Sequence, residues 1–412
     1  MEPAKKVSNR AWNWIAAAVI AVAIVLGAIA IWSVSDKGPE RFVAVVGPKS
    51  GPGSDAGDQT TRGAQLSVDA FSRDNEGPKL GLVVFDDQND PKLAVERARE
   101  IVADSRILLV IGHGTSSTSI AASPIYQEAG IAAMTGQATS DELAKNPSYF
   151  RTVFDNSSES MLLVAYMHDV LKINTISLIA GPGLYEQSLA GAVKTDISEK
   201  GTIKNVWQLS ADGRDASIQA IVAGIEADPA AGTIVLALTE RDAHDVLLAI
   251  RQKGLNPSMI GGESMGSNTF ATSFASEPEE ANTPGYFTEG LNSISPPIYD
   301  SISGDVLAFE DAYTNTYGSP PGWRSAKVYD AVTAGASAIQ AGSTPGKKAD
   351  IVNDRTLVAA QLHAINSPEV VLHGLMGPLF FDDHSNPPKL LHGEIRQRHP
   401  LQRAHAVSSC QQ

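Results

Sequence analysis

From residue 42 onward, short apolar runs alternate with longer stretches of helical spacing. Residues 42–47, 80–85, 107–111 and 131–134 are runs of this kind, and each ends in a turn rich in Gly, Asp or hydroxyl residues. Between them, 63–71 has helical spacing, Asp90-Pro91 opens a helix to Ala103, and the cluster Thr115-Ser116-Ser117-Thr118-Ser119 opens another to about Glu128. Continuous apolar strands alternating with helices predict a mostly parallel sheet covered on both faces. After Arg151-Thr152-Val153-Phe154 the pattern restarts, with helices at 161–171, 185–200, 216–227 and 243–253. The strands of this second series are 175–180, 203–209, 233–238 and a short one at 259–260 that ends at Gly261-Gly262-Glu263. Three further helical segments, 305–317, 325–340 and 354–365, and a last strand and turn at 379–383 exceed what either series needs. A chain that returns to complete its first lobe explains the excess, as in hinged two-lobed binding proteins. Insertion of one domain into another fits the same pattern.

Two turns stand out chemically. One follows strand 107–111 and carries Ser116; the other follows strand 131–134 and carries Thr139. In an open α/β sheet the ligand crevice lies beyond the carboxyl ends of the strands, and free N–H groups at a helix start favour anions there. Ordinary helix capping by Ser and Thr is the competing reading.

The N-terminal 40 residues have a different character. Lys5, Lys6 and Arg10 precede an uncharged run, 11–35, bracketed by Trp12, Trp14 and Trp32. The run is long enough to cross a hydrocarbon core as one helix. It predicts a cytoplasmic tail at 1–10, a transmembrane anchor at 11–35 and an extracytoplasmic body, periplasmic or extracellular. A cleaved signal ending near Ala28-Ile29-Ala30 is the alternative, which would release the body as a secreted protein. The net charge of -14 argues against nucleic acid as a partner. A single cysteine, Cys410, excludes an internal disulfide or a cysteine-based metal site.

The ordered set Val45-Val46-Gly47-Pro48-Lys49-Ser50-Gly51-Pro52, Asp86-Asp87-Gln88-Asn89-Asp90-Pro91-Lys92, Ile111-Gly112-His113, Ala138-Thr139-Ser140-Asp141-Glu142-Leu143, Phe150-Arg151-Thr152 and Gly374-Leu375-Met376-Gly377-Pro378-Leu379 resembles the periplasmic leucine/isoleucine/valine-binding proteins. These are the substrate-binding components of branched-chain amino acid ABC transporters, and the resemblance spans about 41–388. It implies a type I periplasmic binding protein fold, two α/β lobes each with a mostly parallel sheet flanked by helices, joined by three crossings around the ligand. Lobe 1 is expected at 41–155 with 288–388, lobe 2 at 156–287, and an atypical tail at 389–412.

The resemblance also assigns a ligand site. Ser116 is expected to hold the ligand carboxylate with the backbone after the third strand. Thr139 is expected to meet both carboxylate and ammonium, aided by backbone carbonyls at Gln137 and Ala138. Tyr185 would close from the second lobe, and Glu263 would pair with the ammonium. A second cleft tyrosine of the family falls on Thr239, and a neighbouring alanine is Gln137, which makes the pocket floor more polar. Two positions that form a disulfide in some relatives are Asn89 and Thr115. A zwitterion entering a closing cleft loses water at both charged ends, so each end needs a partner. The tail departs from the family: it has no strand period, and the reading is an aberrant, for example frameshifted, ending that leaves lobe 2 short of strands.

No His-Glu-x-x-His, Gly-x-Ser-x-Gly or Gly-x-x-x-x-Gly-Lys pattern occurs. His113 beside Ser116 invites a nucleophile reading, but its place after a buried strand favours a structural role. Asp86-Asp87 and Asp382-Asp383 read as loop acids that cap or face solvent. Neither catalytic residues, a metal nor a cofactor is expected. The reading is a binding protein that captures a small amino acid and delivers it to an ABC permease. A tethered sensory ectodomain of the same fold is the second reading, and an α/β enzyme the third.

Overall fold

The computed structural model describes residues 41–74, 79–296, 304–342, 351–375, 377–387 and 402–403. The first sheet is five-stranded and all parallel, in the order β2-β1-β3-β4-β5. Its strands are β1 (Arg41–Gly47), β2 (Leu80–Asp86), β3 (Ile107–Ile111), β4 (Ala132–Thr135) and β5 (Tyr149–Arg151). Every residue of β3 and β4 is buried, which is why those runs carry no polar alternation. Helices α1 (Ser54–Asp74), α2 (Pro91–Ala103) and α3 (Ser116–Glu128) connect the strands. The start of α2 is fixed by the Asp90 carboxylate, which accepts the N–H groups of Lys92 at 2.7 Å and Leu93 at 3.2 Å.

The second sheet repeats this winding. Its order is β13-β10-β9-β8-β6-β7, formed by β6 (Thr175–Ala180), β7 (Thr202–Gln208), β8 (Thr233–Ala237), β9 (Met259–Gly261), β10 (Leu291–Ser293) and β13 (Gln402–Arg403). Only β13 runs antiparallel, against β10. Helices α4 (Asn156–Ala165), α5 (Leu184–Ile197), α6 (Arg214–Ala227) and α7 (Glu240–Gln252) flank it. Two details differ from the sequence reading. The helix placed at 161–171 starts at Asn156, because the Asp155 carboxylate caps it through the N–H of Ser158. The second sheet takes in β10, past the expected lobe end at 287, and β13 comes from the tail read as lacking strands.

The surplus helices return to the first lobe. After two short helices, α8 (Asn268–Thr272) and α9 (Pro278–Asn282), come α10 (Gly304–Tyr317), α11 (Trp323–Gly342) and α12 (Ile351–Ala364). Val328, Ala331 and Val332 of α11 and Val358 and Leu362 of α12 join Val43, Leu109 and Met134 in one core. Helices α1 and α11 approach so closely that a Cβ on Gly63 would lie 2.3 Å from the carbonyl oxygen of Ser325. A small hairpin pairs β11 (Leu372–Gly374) with β12 (Gly377–Leu379), which ends where the strand expected from 379 should begin; Phe380 and Phe381 are not strand.

Among the described residues no helix is long and apolar enough to cross a membrane, and no cluster of His, Cys, Asp and Glu could hold a metal ion. The predicted anchor at 11–35 lies outside the described residues, as does most of the tail.

Candidate functional site

Both sheets reverse their winding direction beside the first strand of each series, so the ligand crevice of each lobe falls at that switch point. The loops after β1, β3 and β4 in one lobe face those after β6, β8 and β9 in the other. Between them lies a cleft of about 560 Å³. Six of the seven residues expected at the site line it: Ser116, Gln137, Thr139, Tyr185, Thr239 and Glu263. Ala138 does not; its side chain belongs to the core beneath β4, and its N–H is bound to the Thr135 hydroxyl.

On the first lobe, the helix cap at α3 is Thr115, not Ser116. Thr115 Oγ1 accepts the N–H of Thr118, and Thr118 Oγ1 accepts the N–H of Thr115. Ser116 is therefore the first helical residue, with its hydroxyl accepting only the N–H of Ser140 at 3.1 Å. Ser116 lines the cleft at the start of the helix, where the helix dipole favours an anion. Thr139 is likewise not a cap, because Ser140 caps the short turn Asp141–Lys145. The Thr139 side chain is fully buried, yet Oγ1 has no hydrogen-bond partner. A buried polar atom left unpaired costs about 1–3 kcal/mol, so an absent partner is implied. Gln137 is held through Nε2 by Thr60.

On the second lobe, the Tyr185 hydroxyl donates to Glu263 Oε2 at 2.6 Å. A residue absent from the sequence reading, Glu159 of α4, lies behind them: its Oε1 accepts the N–H of Glu263 at 2.6 Å. Burial and the neighbouring Glu263 charge push the Glu159 carboxyl well above the usual carboxylate range. Burial also raises Glu263, but the Tyr185 hydroxyl, Glu159 and the positive charge of Arg324 oppose that rise. Gly262 is required here, since a Cβ would fall 2.6 Å from Glu159 Oε1 and 2.7 Å from the Tyr185 hydroxyl. Thr239 lines the cleft with its polar groups committed: Oγ1 caps α7 through the N–H of Asp242, and its own N–H binds Glu186. Burial and the adjacent Asp242 push the Glu186 carboxyl up to about 8.

The lobes meet across the cleft. Arg324, in the first turn of α11, donates from Nη2 to Glu240 Oε1 of α7 at 2.6 Å and stacks over the Trp323 ring. The N–H of Asp141 reaches the Ser188 hydroxyl at 3.3 Å, and the N–H of Asn156 reaches the Thr139 carbonyl at 2.8 Å. Trp323, Arg324 and Glu159 went unread in the sequence, whereas Glu240 lies in the charged stretch Leu238-Thr239-Glu240-Arg241-Asp242 that departs from the family. The helix at 325–340 begins two residues earlier than its spacing shows, and Pro320-Pro321-Gly322 was the available signal that a helix start follows.

His113 is not paired with Ser116. Its Nδ1 lies 2.7 Å from Asp87 Oδ2 and its Nε2 2.9 Å from the Tyr126 hydroxyl, with all of its surface buried. Asp87 caps its turn through the N–H of Asn89 at 3.0 Å, and instead of facing solvent it is fully buried against His113. Asp86 caps its turn too, accepting the N–H of Gln88 at 3.0 Å, and it also accepts the N–H of Lys49 and the Ser50 hydroxyl from the loop after β1.

A sequence profile of the family described as periplasmic binding protein matches residues 41–391. The chain is 28% identical over 345 residues to the Leu/Ile/Val-binding protein of Escherichia coli K12, covering 83% of this chain and 86% of that one. It is 25% identical over 308 residues to an amino acid binding protein of Pseudomonas aeruginosa, covering 68% of this chain and 81% of that one. Its fold is similar to that of a branched-chain amino acid transporter substrate binding protein from Streptococcus pneumoniae, solved with isoleucine. That match has a TM-score of 0.72 and 21% identity, covering 86% of this chain and 94% of the other. A solute binding protein from R. palustris, solved with benzoate, matches with a TM-score of 0.70 and 19% identity over 85% of this chain and 91% of that one.

Proposed function

The chain belongs to the periplasmic binding protein family, and from that premise we propose that it captures an α-amino acid of branched-chain size between its lobes and delivers it to an ABC permease. One observation carries the reading: complementary, incompletely satisfied groups converge on one cleft. Thr139 Oγ1 has no partner, and Ser116 is the first residue of α3 and lines the cleft. Opposite them lies Glu263, its carboxyl oriented by the Tyr185 hydroxyl. Hydroxyls and helix-start N–H groups suit a carboxylate; a desolvated glutamate suits an ammonium. Holding both ends requires both lobes, which couples binding to closure.

Relatives named for leucine, isoleucine, valine and threonine support this ligand class. The test is a thermal-shift screen of amino acids, amides and small acids. A ligand at 100 times its Kd stabilises the folded state by about 2.7 kcal/mol, a readily measured rise in Tm. Amino acids should head the ranking; a screen in which only non-amino acids respond overturns the ligand class.

We also propose that the run 11–35 holds the body at the membrane uncleaved, since its apolar length exceeds that of a signal core. Intact-mass measurement of the protein from its native membrane should find the run retained; a mature start just after Ala30 contradicts this.

A further inference from the structure

Two hydrogen-bond donors in the cleft are left over once both ends of an amino acid have been assigned. Trp323 is 1% exposed and its Nε1 has no partner; Arg324 is 7% exposed and its Nη1 has none. Both residues line the cleft and belong to the first turn of α11. Their side chains are stacked, with the guanidinium carbon 4.6 Å from the indole centroid, so the two donors are held as one unit. The Arg324–Glu240 pair does not account for them, because Glu240 takes only Nη2 and also accepts from Ser267 at 2.6 Å. The helix start adds a partial positive charge at the same place.

We infer that the captured amino acid has a side chain ending in an acceptor oxygen, an amide or a carboxylate, which receives hydrogen bonds from Trp323 Nε1 and Arg324 Nη1. The inference rests on the amino-acid reading above and narrows it. An aliphatic side chain would leave two buried donors unpaired, and sites built to hydrogen-bond a ligand reject analogues that cannot. The positive charge of Arg324 also acts on Glu263. A ligand bringing an ammonium alone would therefore meet repulsion from Arg324, which an acceptor on the same ligand relieves.

The experiment is calorimetric titration of the full chain with glutamine, glutamate, leucine and norleucine, repeated on Trp323→Phe and Arg324→Lys. The first variant keeps the ring and loses the N–H; the second keeps a cation for Glu240 and loses Nη1. The amide or the acid should bind at least about tenfold more tightly than leucine or norleucine. In both variants that ratio should shrink to about twofold. The stronger of glutamine and glutamate identifies the acceptor as amide or carboxylate. Leucine binding as tightly as both overturns the inference and leaves the amino-acid reading standing. A preference for acceptors that survives both substitutions overturns the assignment to Trp323 and Arg324. Failure of all four, with simple carboxylates binding, overturns the amino-acid reading itself.

Discussion

Ser116 and Thr139 are available to a ligand because their neighbours do the structural work. Thr115 and Ser140 cap the two turns, so the hydroxyls that sequence alone left open between capping and binding are not caps. Thr239 shows the reverse: legible as a cleft position, it spends its hydroxyl on α7 and its N–H on Glu186. Glu263 carries the ammonium half of the account. Glu263→Gln removes the charge while keeping the shape, and amino-acid affinity should fall by about 1.5–3 kcal/mol in calorimetry. Glu186 gives a pH test that needs no ligand. Its carboxyl, pushed up to about 8, is protonated in the folded state where the unfolded chain is ionised. The folded state then holds the extra proton, so stability falls as pH rises from about 4.5 towards about 8, by up to about 1.4 kcal/mol per pH unit. Urea midpoints measured across that window should decline in the wild type and decline less steeply in Glu186→Gln. Equal slopes would remove Glu186 as the source. Glu159 and Arg324 could not be read from sequence, because each acquires its role from a partner far along the chain: Glu159 from Glu263, Arg324 from Glu240.

At the scale of elements, the alternation of buried strands and helices was readable because strands such as β3 and β4 are covered on both faces. The return of α11 and α12 to the first lobe was visible only as an excess of helices; packing on Val43, Leu109 and Met134 explains it. Strands β10 and β13 escaped notice, being three and two residues long. Pairing with β9, not hydrophobic pattern, fixes β10 as a strand. The contact of α1 with α11 ties packing to the site, because Trp323 and Arg324 ride on the first turn of α11. Gly63→Ala would drive a methyl into the Ser325 carbonyl 2.3 Å away and push the helices apart. Overpacking of this kind costs about 1–3 kcal/mol. Denaturant unfolding should show that loss, accompanied by weaker ligand binding; a wild-type midpoint would mean the helices adjust freely.

For the whole molecule, the two sheets with the same winding order set their switch points face to face, and the ligand groups come from opposite sides of the gap. Arg324 meets Glu240 and Asp141 meets Ser188 across the gap, but neither pair fills the cleft centre, where Thr139 stays unpartnered. The central claim is that one ligand satisfies both lobes, carboxylate on Ser116 and Thr139, ammonium on Glu263. Its most direct test is to remove the ammonium and nothing else. Calorimetry on the full chain should compare the best-binding amino acid with the carboxylic acid of identical side chain that lacks the α-amino group. The account predicts that the amino acid binds and that the deaminated acid is weaker by at least about tenfold, the loss expected for one charge-assisted pair. Equal affinity for the two would contradict it.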